Sequence, residues 1–366
     1  MGHSAPPPVP GTLTLSTSSA DHVQVRAVIP AILAAGCYGP HPALGAQCGS
    51  DSSCPQGQVC DQTTDTCLDP NGCLPTIEIC GDGIDQDCDG IDQPCPSNDL
   101  PTAPIDVTLG GVFTADVLYA HADDVDTMCG AGTGDGHDVF YQAAPTSPSI
   151  YYFDTLASDF DSTIRVYPGQ ACDVINQNVA VYPPQCEDDA CGSKQSQLAV
   201  SIPGGKTCIV VAQRSASVIG GAVTLNVVVG GRDAIELPAA VGTSPVRISP
   251  LIDTCQSTSK VTIMSCPNVT MLPDKEPDAV FFFTLCPGPE VIDADTCPSV
   301  STFDTIVYVA DATGAILACD LNSGGCMSAA DSLISSLTLT GPGLFYTGVT
   351  GNSNTCGAGS VEVTFH

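Results

Sequence analysis

"SDFDSTIRVY" at 158–167 returns, little changed, as "STFDTIVYV" at 301–309. Each block sets an aromatic residue, an Asp and a hydroxyl residue ahead of a β-branched run. Four more blocks recur in the same order. "DVFYQ" from Asp138 answers "DAVFFF" from Asp278, and "CEDDAC" at 186–191 answers "CDLNSGGC" at 319–326. "LAVSIPGGKTCIVVAQ" at 198–213 answers "LTLTGPGLFYTGVT" at 337–350, and "GAVTLNVVV" at 221–229 answers "GSVEVTFH" at 359–366. Ordered echoes of this kind mark an internal repeat. Each copy offers about eight candidate strands of period-two patterning in roughly 120 residues. Two facing antiparallel sheets per copy bury such strands most economically. The expected fold is therefore all-β, with tandem β-sandwiches at 105–230 and 245–366 and a polar, Pro-containing joint between them.

The composition agrees. Gly (36) and Pro (30) are abundant, and Trp is absent. The formal charge is −31, from nine basic and 40 acidic residues, and only six of the acids are Glu. Asp favours caps, turns and hard-cation sites, whereas Glu favours helices. Such acidity speaks against charge-driven binding of nucleic acid or of an anionic membrane surface.

The order of the blocks resembles the bacterial pre-peptidase C-terminal domain family. The likeness is carried by the F-D-[ST] block (Asp161-Ser162 and Asp304-Thr305), the G-x-[YF] strand and the Gly-led last strand. The resemblance implies jelly-roll-like antiparallel sandwiches with an accessory role beside secreted peptidases and no catalysis of their own. The cysteines depart from the simplest members of that family.

There are 21 cysteines, a density that implies an oxidising compartment. Residues 48–95 hold eight of them and almost no large apolar residue, so disulfides must carry a small module at 48–98. "CGSDSSCPQGQVCDQTTDTC" from Cys48 resembles the Cys-rich knots that follow the lipid anchor of bacterial surface lipoproteins. In the sandwiches, Cys186 with Cys191, and Cys319 with Cys326, occupy matching places and are expected to close two short loops.

The sharpest chemical signal lies inside the module. Asp85-x-Asp87-x-Asp89-Gly90-x-Asp92, with Asp82 just before, sets alternate carboxylates on one loop, and Gly90 permits a tight turn. The spacing matches the start of an EF-hand loop, but Pro96 stands where the closing Glu belongs and no helical pattern flanks it. "EICGDGIDQDCDGIDQPC" from Glu78 resembles instead the short metal-binding repeat of bacterial secreted proteins, and is similar to the thrombospondin type 3 repeat. Oxygen ligands point to Ca²⁺ over zinc or copper. Glu187, Asp188 and Asp189 form a second acidic loop able to add an ion, although the second copy has lost two of its acids. Asp161 and Asp304, each just before a strand, read as turn caps.

Near the start, "VRAVIPAILAAGC" at 25–37 joins one positive charge, a short apolar run, small residues and Cys37. It is too short to span a membrane and has the shape of a secretory signal. Its end resembles a lipobox, which implies acylation of Cys37 and leaves an even number of cysteines. Residues 1–37 are thus expected to be a non-native start followed by a lipoprotein signal, with 38–47 a linker.

No G-x-S-x-G or H-E-x-x-H occurs, and the expected catalytic set is empty. The resulting expectation is a non-enzymatic, lipid-anchored protein of the outer membrane, cell surface or secreted fraction, touching the membrane only through its anchor. Its sandwiches are expected to bind an extracellular glycan, matrix polymer or surface protein. Two other classes stand beside it: an envelope spacer, and a secreted hydrolase without a recognised motif.

Overall fold

The computed structural model describes residues 45–366, apart from 56, 69, 71–77, 125–135, 178–184, 215–219, 239–243, 258–276, 298–300, 323–325, 327–329 and 353–354. Cys37 and its lipobox lie outside the described residues. Strands account for 47% and helix for 3%, and the fold is all-β.

The N-terminal module has one small hairpin, β1 (Val59–Asp61) with β2 (Thr66–Leu68). Its residues bury little apolar surface, and covalent links do the work of a core. Cys48–Cys60 and Cys54–Cys67 tie the hairpin, and Cys80–Cys95 closes the Asp-rich loop.

The first half runs β3 (Ile105–Asp106), β4 (Gly111–Asp116), β5 (Asp138–Ala143), β6 (Ser149–Asp154), β7 (Ser162–Tyr167), β8 (Gln185–Glu187), β9 (Gln197–Ile202), β10 (Thr207–Gln213) and β11 (Ala222–Val229). A five-stranded sheet in the order β3-β5-β10-β7-β8 faces a four-stranded sheet in the order β4-β11-β6-β9. Tyr141, Ile164, Val166 and Ile209 of one sheet meet Tyr151, Phe153, Leu225 and Val227 of the other.

The second half comprises β12 (Ile235–Glu236), β13 (Val246–Ile248), β14 (Ile252–Asp253), β15 (Asp278–Asp295), β16 (Thr305–Asp311), β17 (Ile316–Leu321), β18 (Leu333–Gly351), β19 (Ala358–Gly359) and β20 (Glu362–Phe365). Here β15 and β18, of 18 and 19 residues, pair along almost their whole length. Register shifts at Leu285/Gly288 and Ile292/Ala294 interrupt that ladder, and such irregularities bend strands. One seven-stranded sheet thus supplies both Phe281 and Phe283 from one end of β15 and Ile292 and Ala294 from the other to a single core.

The repeat is visible atom by atom. Thr155 and Ser162 share a buried hydroxyl–hydroxyl bond of 2.7 Å, and Thr296 and Thr305 share one of 2.8 Å. The hydroxyls of Ser196 and Ser332 then donate to the carbonyls of Ser162 and Thr305, each at 2.6 Å. The hydroxyl residue of each F-D-[ST] block is therefore the centre of a satisfied polar knot under the strands.

The halves share a core of their own. In β6, Tyr151 and Phe153 point into the first sandwich, while the alternate residues Ile150 and Tyr152 pack against Val280, Phe282, Ile306, Tyr308 and Tyr346 of the second half. A strand buried on both faces reads as an unbroken apolar run, and "IYYF" and "AVFFF" are such runs. At the joint, Gly230 N–H donates to Ile150 O at 2.7 Å, and Gly231 N–H donates to Ala312 O at 2.9 Å. A side chain at Gly230 would run into Tyr346 Oη and the Ile150 carbonyl, so glycine is required there by close approach.

The expected short-loop disulfides are not formed. Cys191 pairs with Cys286 across the two halves, and Cys326 pairs with Cys297. Cys186 and Cys319 are disulfide-bonded too, but not to those neighbours. The positions do match. Cys186 lies opposite Arg165 in the β7–β8 ladder, and Cys319 lies opposite Tyr308 in the β16–β17 ladder. What differs is direction: strand geometry holds Cys186 in its sheet, while Cys191 sits past the turn, at the seam, with its Cα 5.4 Å from that of Cys286.

One ladder position carries different charge in the two halves. Asp154 lies opposite Asn226, whose side-chain amide donates to it at 2.9 Å. The corresponding Asp295 lies opposite Glu362, a like charge. Burial, and then the carboxylates of Glu362, Asp293 and Asp331, push the Asp295 carboxyl up to about 6, against a bond from Cys297 N–H that lowers it. A carboxyl raised in the folded state stabilises fully below its unfolded value, and loses that contribution as pH rises through about 6. Glu362→Gln is therefore expected to raise the thermal midpoint more at pH ~8 than at pH ~4.5, because it removes a repulsion present only when both acids are ionised. Equal gains at both pH values would contradict this.

Candidate metal centre

The Asp-rich loop is built from turns. Gly81, Gly83 and Gly90 all have positive φ, as does Cys88 at 66°. Cys80–Cys95 pins the loop's ends, and Gly81 N–H bonds to Gln93 O at 3.0 Å. All five predicted aspartates accept backbone N–H groups of the loop. Asp92 accepts from Gly81 and Gly83 N–H at 2.9 and 2.8 Å. Asp82 caps Ile84 N–H and takes the Gln86 amide, and Asp89 caps Ile91 N–H. Asp85 accepts Asp89 and Gly90 N–H at 3.1 and 2.8 Å, and Asp87 accepts Asp89 N–H at 3.1 Å. Asp85 and Asp87 converge, and the third member of their cluster is Glu78.

Glu78 is 2% exposed. Its Oε2 accepts backbone N–H groups of Gln86 and Asp87 at 2.9 and 3.0 Å, which fixes the carboxylate across the mouth of the loop. Its Oε1 is buried with no hydrogen-bond partner. One oxygen each from Glu78, Asp85 and Asp87 lies within 4.8 Å of the others. A buried, unpaired carboxylate oxygen beside two more carboxylates is a costly arrangement for protein alone. A divalent cation would relieve it, with Glu78, ahead of the loop, in the place of the Glu missing after it. The signal was the Glu of "EIC", two residues ahead of Cys80.

The loop is also fastened to the first sandwich. Asn98 Nδ2 donates to Phe140 O at 3.1 Å, and Phe140 N–H returns a bond to Asn98 O at 2.8 Å. Asp99 accepts from His121 N–H and holds the His121 ring at Nδ1, both at 2.7 Å. That hydrogen bond raises the imidazole above its ordinary value.

The second acidic loop has a different outcome. Asp188 and Asp189 come together with Asp161, but Arg214 lies among them, at 3.2 Å from Asp188 and 3.6 Å from each of the others. The chain's own guanidinium provides the positive charge there. Glu187 stays outside that group, and burial raises its carboxyl. Asp304, the counterpart of Asp161, takes the Asn352 side-chain amide at 2.8 Å.

Comparison with known proteins adds little. No family profile and no curated protein matches the chain. Among solved structures, tripeptidyl peptidase 2 aligns with 71% of this chain and 24% of its own, at 10% identity and a TM-score of 0.21. The chain thus spans about a quarter of that peptidase's length. The tandem CBM51 modules of the family 98 glycoside hydrolase from Streptococcus pneumoniae align with 70% of this chain and 83% of theirs, at 8% identity and a TM-score of 0.18. At such scores neither fold nor function passes from one to the other. Among the described residues, no helix is long and apolar enough to cross a membrane.

Proposed function

We propose that this is an extracellular, lipid-anchored calcium-binding protein, in which a metal-stiffened Cys-rich module leads into paired sandwiches that bind a glycan, matrix polymer or protein outside the cell. The observation that carries the metal reading is the buried, unpartnered Oε1 of Glu78 facing Asp85 and Asp87. Oxygen-only donors suit a hard cation, and Ca²⁺ accepts carboxylates, carbonyls and water in a flexible shell. Two like charges about 5 Å apart, at an effective dielectric of about 20, repel by roughly 3 kcal/mol. A bound divalent ion reverses that term and gives the module order that it has too little apolar surface to supply. Acylation of Cys37 and release of the preceding residues follow from the lipobox resemblance. Intact mass of the native protein tests them.

The metal test uses the whole chain. Calorimetric titration with Ca²⁺ after chelator treatment is expected to show a site of millimolar affinity or tighter, as extracellular modules have. Glu78→Gln, which keeps an acceptor for Gln86 and Asp87 N–H but removes the charge, should weaken it at least tenfold. Asp82→Asn should leave it within about threefold, since that carboxylate is turned to Ile84 and Gln86. No heat from the wild-type chain, or equal losses in both variants, would refute this site.

A further inference from the structure

Two of the chain's five arginines pair with its acids. Arg165 pairs with Asp124, and Arg214 with three aspartates. Arg232 donates to the Gly314 carbonyl. Lys194 and Lys206 are exposed, where water solvates them. Arg247 is the exception. It is half-buried, and its side chain makes no hydrogen bond or ion pair with any described residue. Glu236 acts on it only at longer range, and burial lowers its pKa. Its guanidinium carbon lies 4.9 Å from the centre of the Phe365 ring.

Its position makes the omission informative. Arg247, on β13, borders two clefts, the first of them at the seam. One is lined by Glu187, Gln197 and Ala199 of the first half and by Glu236 and Phe282 of the second. The other, of about 280 Å³, is lined by Ser244, Thr284, Glu290 and Phe365 and runs beside Cys286, the anchor of the clasp between halves. A guanidinium stacked on a ring keeps its N–H edge free, and that edge matches a carboxylate bidentately. No Arg247 nitrogen is buried and unpartnered, so the fork is open to a ligand. A concave site with a few convergent polar groups beside an aromatic ring is the usual make-up of a small-ligand site.

We propose that Arg247 and Phe365 form a carboxylate-recognition site for an acidic sugar, a uronate residue of an extracellular glycan. The guanidinium takes the carboxylate, while Ser244, Thr284 and Glu290 provide donors and acceptors for ring hydroxyls. The cleft's size suits a single sugar unit rather than a long segment. This deepens the proposed glycan binding and rests on it, but is independent of the metal.

The test is a titration of the full chain in chelator with a galacturonic acid tetramer, its methyl ester, and N-acetyl-Ala-Ala. Arginine-labelled protein reports each Nε–H resonance. The acid tetramer should bind and move the Arg247 resonance. The ester should bind at least tenfold more weakly, as should the dipeptide. Arg247→Lys, which keeps the charge and loses the fork, should cost at least tenfold while a matched thermal midpoint shows it folded. No binding of the acid tetramer, equal binding of ester or dipeptide, or unchanged binding by Arg247→Lys would each overturn the site. A glycan array positive for another ligand, with Arg247 silent, would remove this site and leave the broader binding function standing.

Discussion

Phe282→Ala is expected to destabilise the whole protein by about 3–5 kcal/mol, the usual cost of emptying a buried aromatic site. Phe282 is nearly fully buried, yet it does not face the core of its own sandwich. It packs in the cluster shared with Ile150 and Tyr152 of β6. The loss should therefore be felt by both halves in one transition. A double-mutant cycle with Ile150→Ala isolates the coupling. Groups in one packed cluster couple by about 0.5–3 kcal/mol, while independent sites add within about 0.5 kcal/mol. The measurement is urea denaturation followed by a probe in each half, with the disulfides intact. Two separate transitions, or strict additivity, would show that the sandwiches stand apart and that the seam contributes no stability.

That result also marks where the sequence was legible. The F-D-[ST] blocks correctly announced an all-β chain, because Asp161 and Asp304 precede strands whose hydroxyl residues centre the same buried knot in both halves. Period-two alternation identified inward faces. It was silent about the seam, since a strand buried on both sides loses its alternation, and "IYYF" and "AVFFF" read only as strongly apolar. The short-loop disulfides failed for a related reason. Cysteine spacing along the chain says nothing of which way each Cα–Cβ bond points, and Cys191 points across the seam to Cys286. In the Asp-rich loop, the DxDxDG spacing names five aspartates, all of which accept backbone N–H groups of the turns that make the loop, and the structure gathers Asp85 and Asp87 with Glu78. Glu78 lies two residues ahead of Cys80, outside the DxDxDG spacing itself. In the second acidic loop, Asp188 and Asp189 found Arg214, a partner 25 residues or more away in sequence that no local pattern announces.

Asp124→Ala is expected to cost about 3–5 kcal/mol, the penalty for leaving one member of a buried ion pair unmatched. Asp124 is 0% exposed and Arg165 is 1% exposed. Arg165 Nη1 donates to Asp124 Oδ2 at 3.1 Å, and the Tyr167 hydroxyl donates to both carboxylate oxygens at 2.9–3.0 Å. Beside them sits Asp138, whose Oδ2 accepts Asp123 and Asp124 N–H, and whose carboxyl burial drives well above its ordinary value. Two acids and one arginine therefore share a dry site, in which burial favours the protonated form of Asp138. Removing Asp124 forces a choice between an unpaired Arg165 and an ionised Asp138. The second costs less, so in Asp124→Ala the Asp138 proton should leave at lower pH than in the wild type. The second half places a tyrosine where the first has the arginine. There Tyr308, at the ladder position of Arg165, donates its hydroxyl to Asp278 at 3.1 Å. Carbonyl-region NMR of labelled aspartates reports the proton, and thermal or urea unfolding reports the cost. A loss below about 1 kcal/mol, the range of an exposed pair, would mean that water reaches Arg165 and that the site is not dry. An Asp138 titration unchanged by Asp124→Ala would mean that the two carboxyls do not share the arginine.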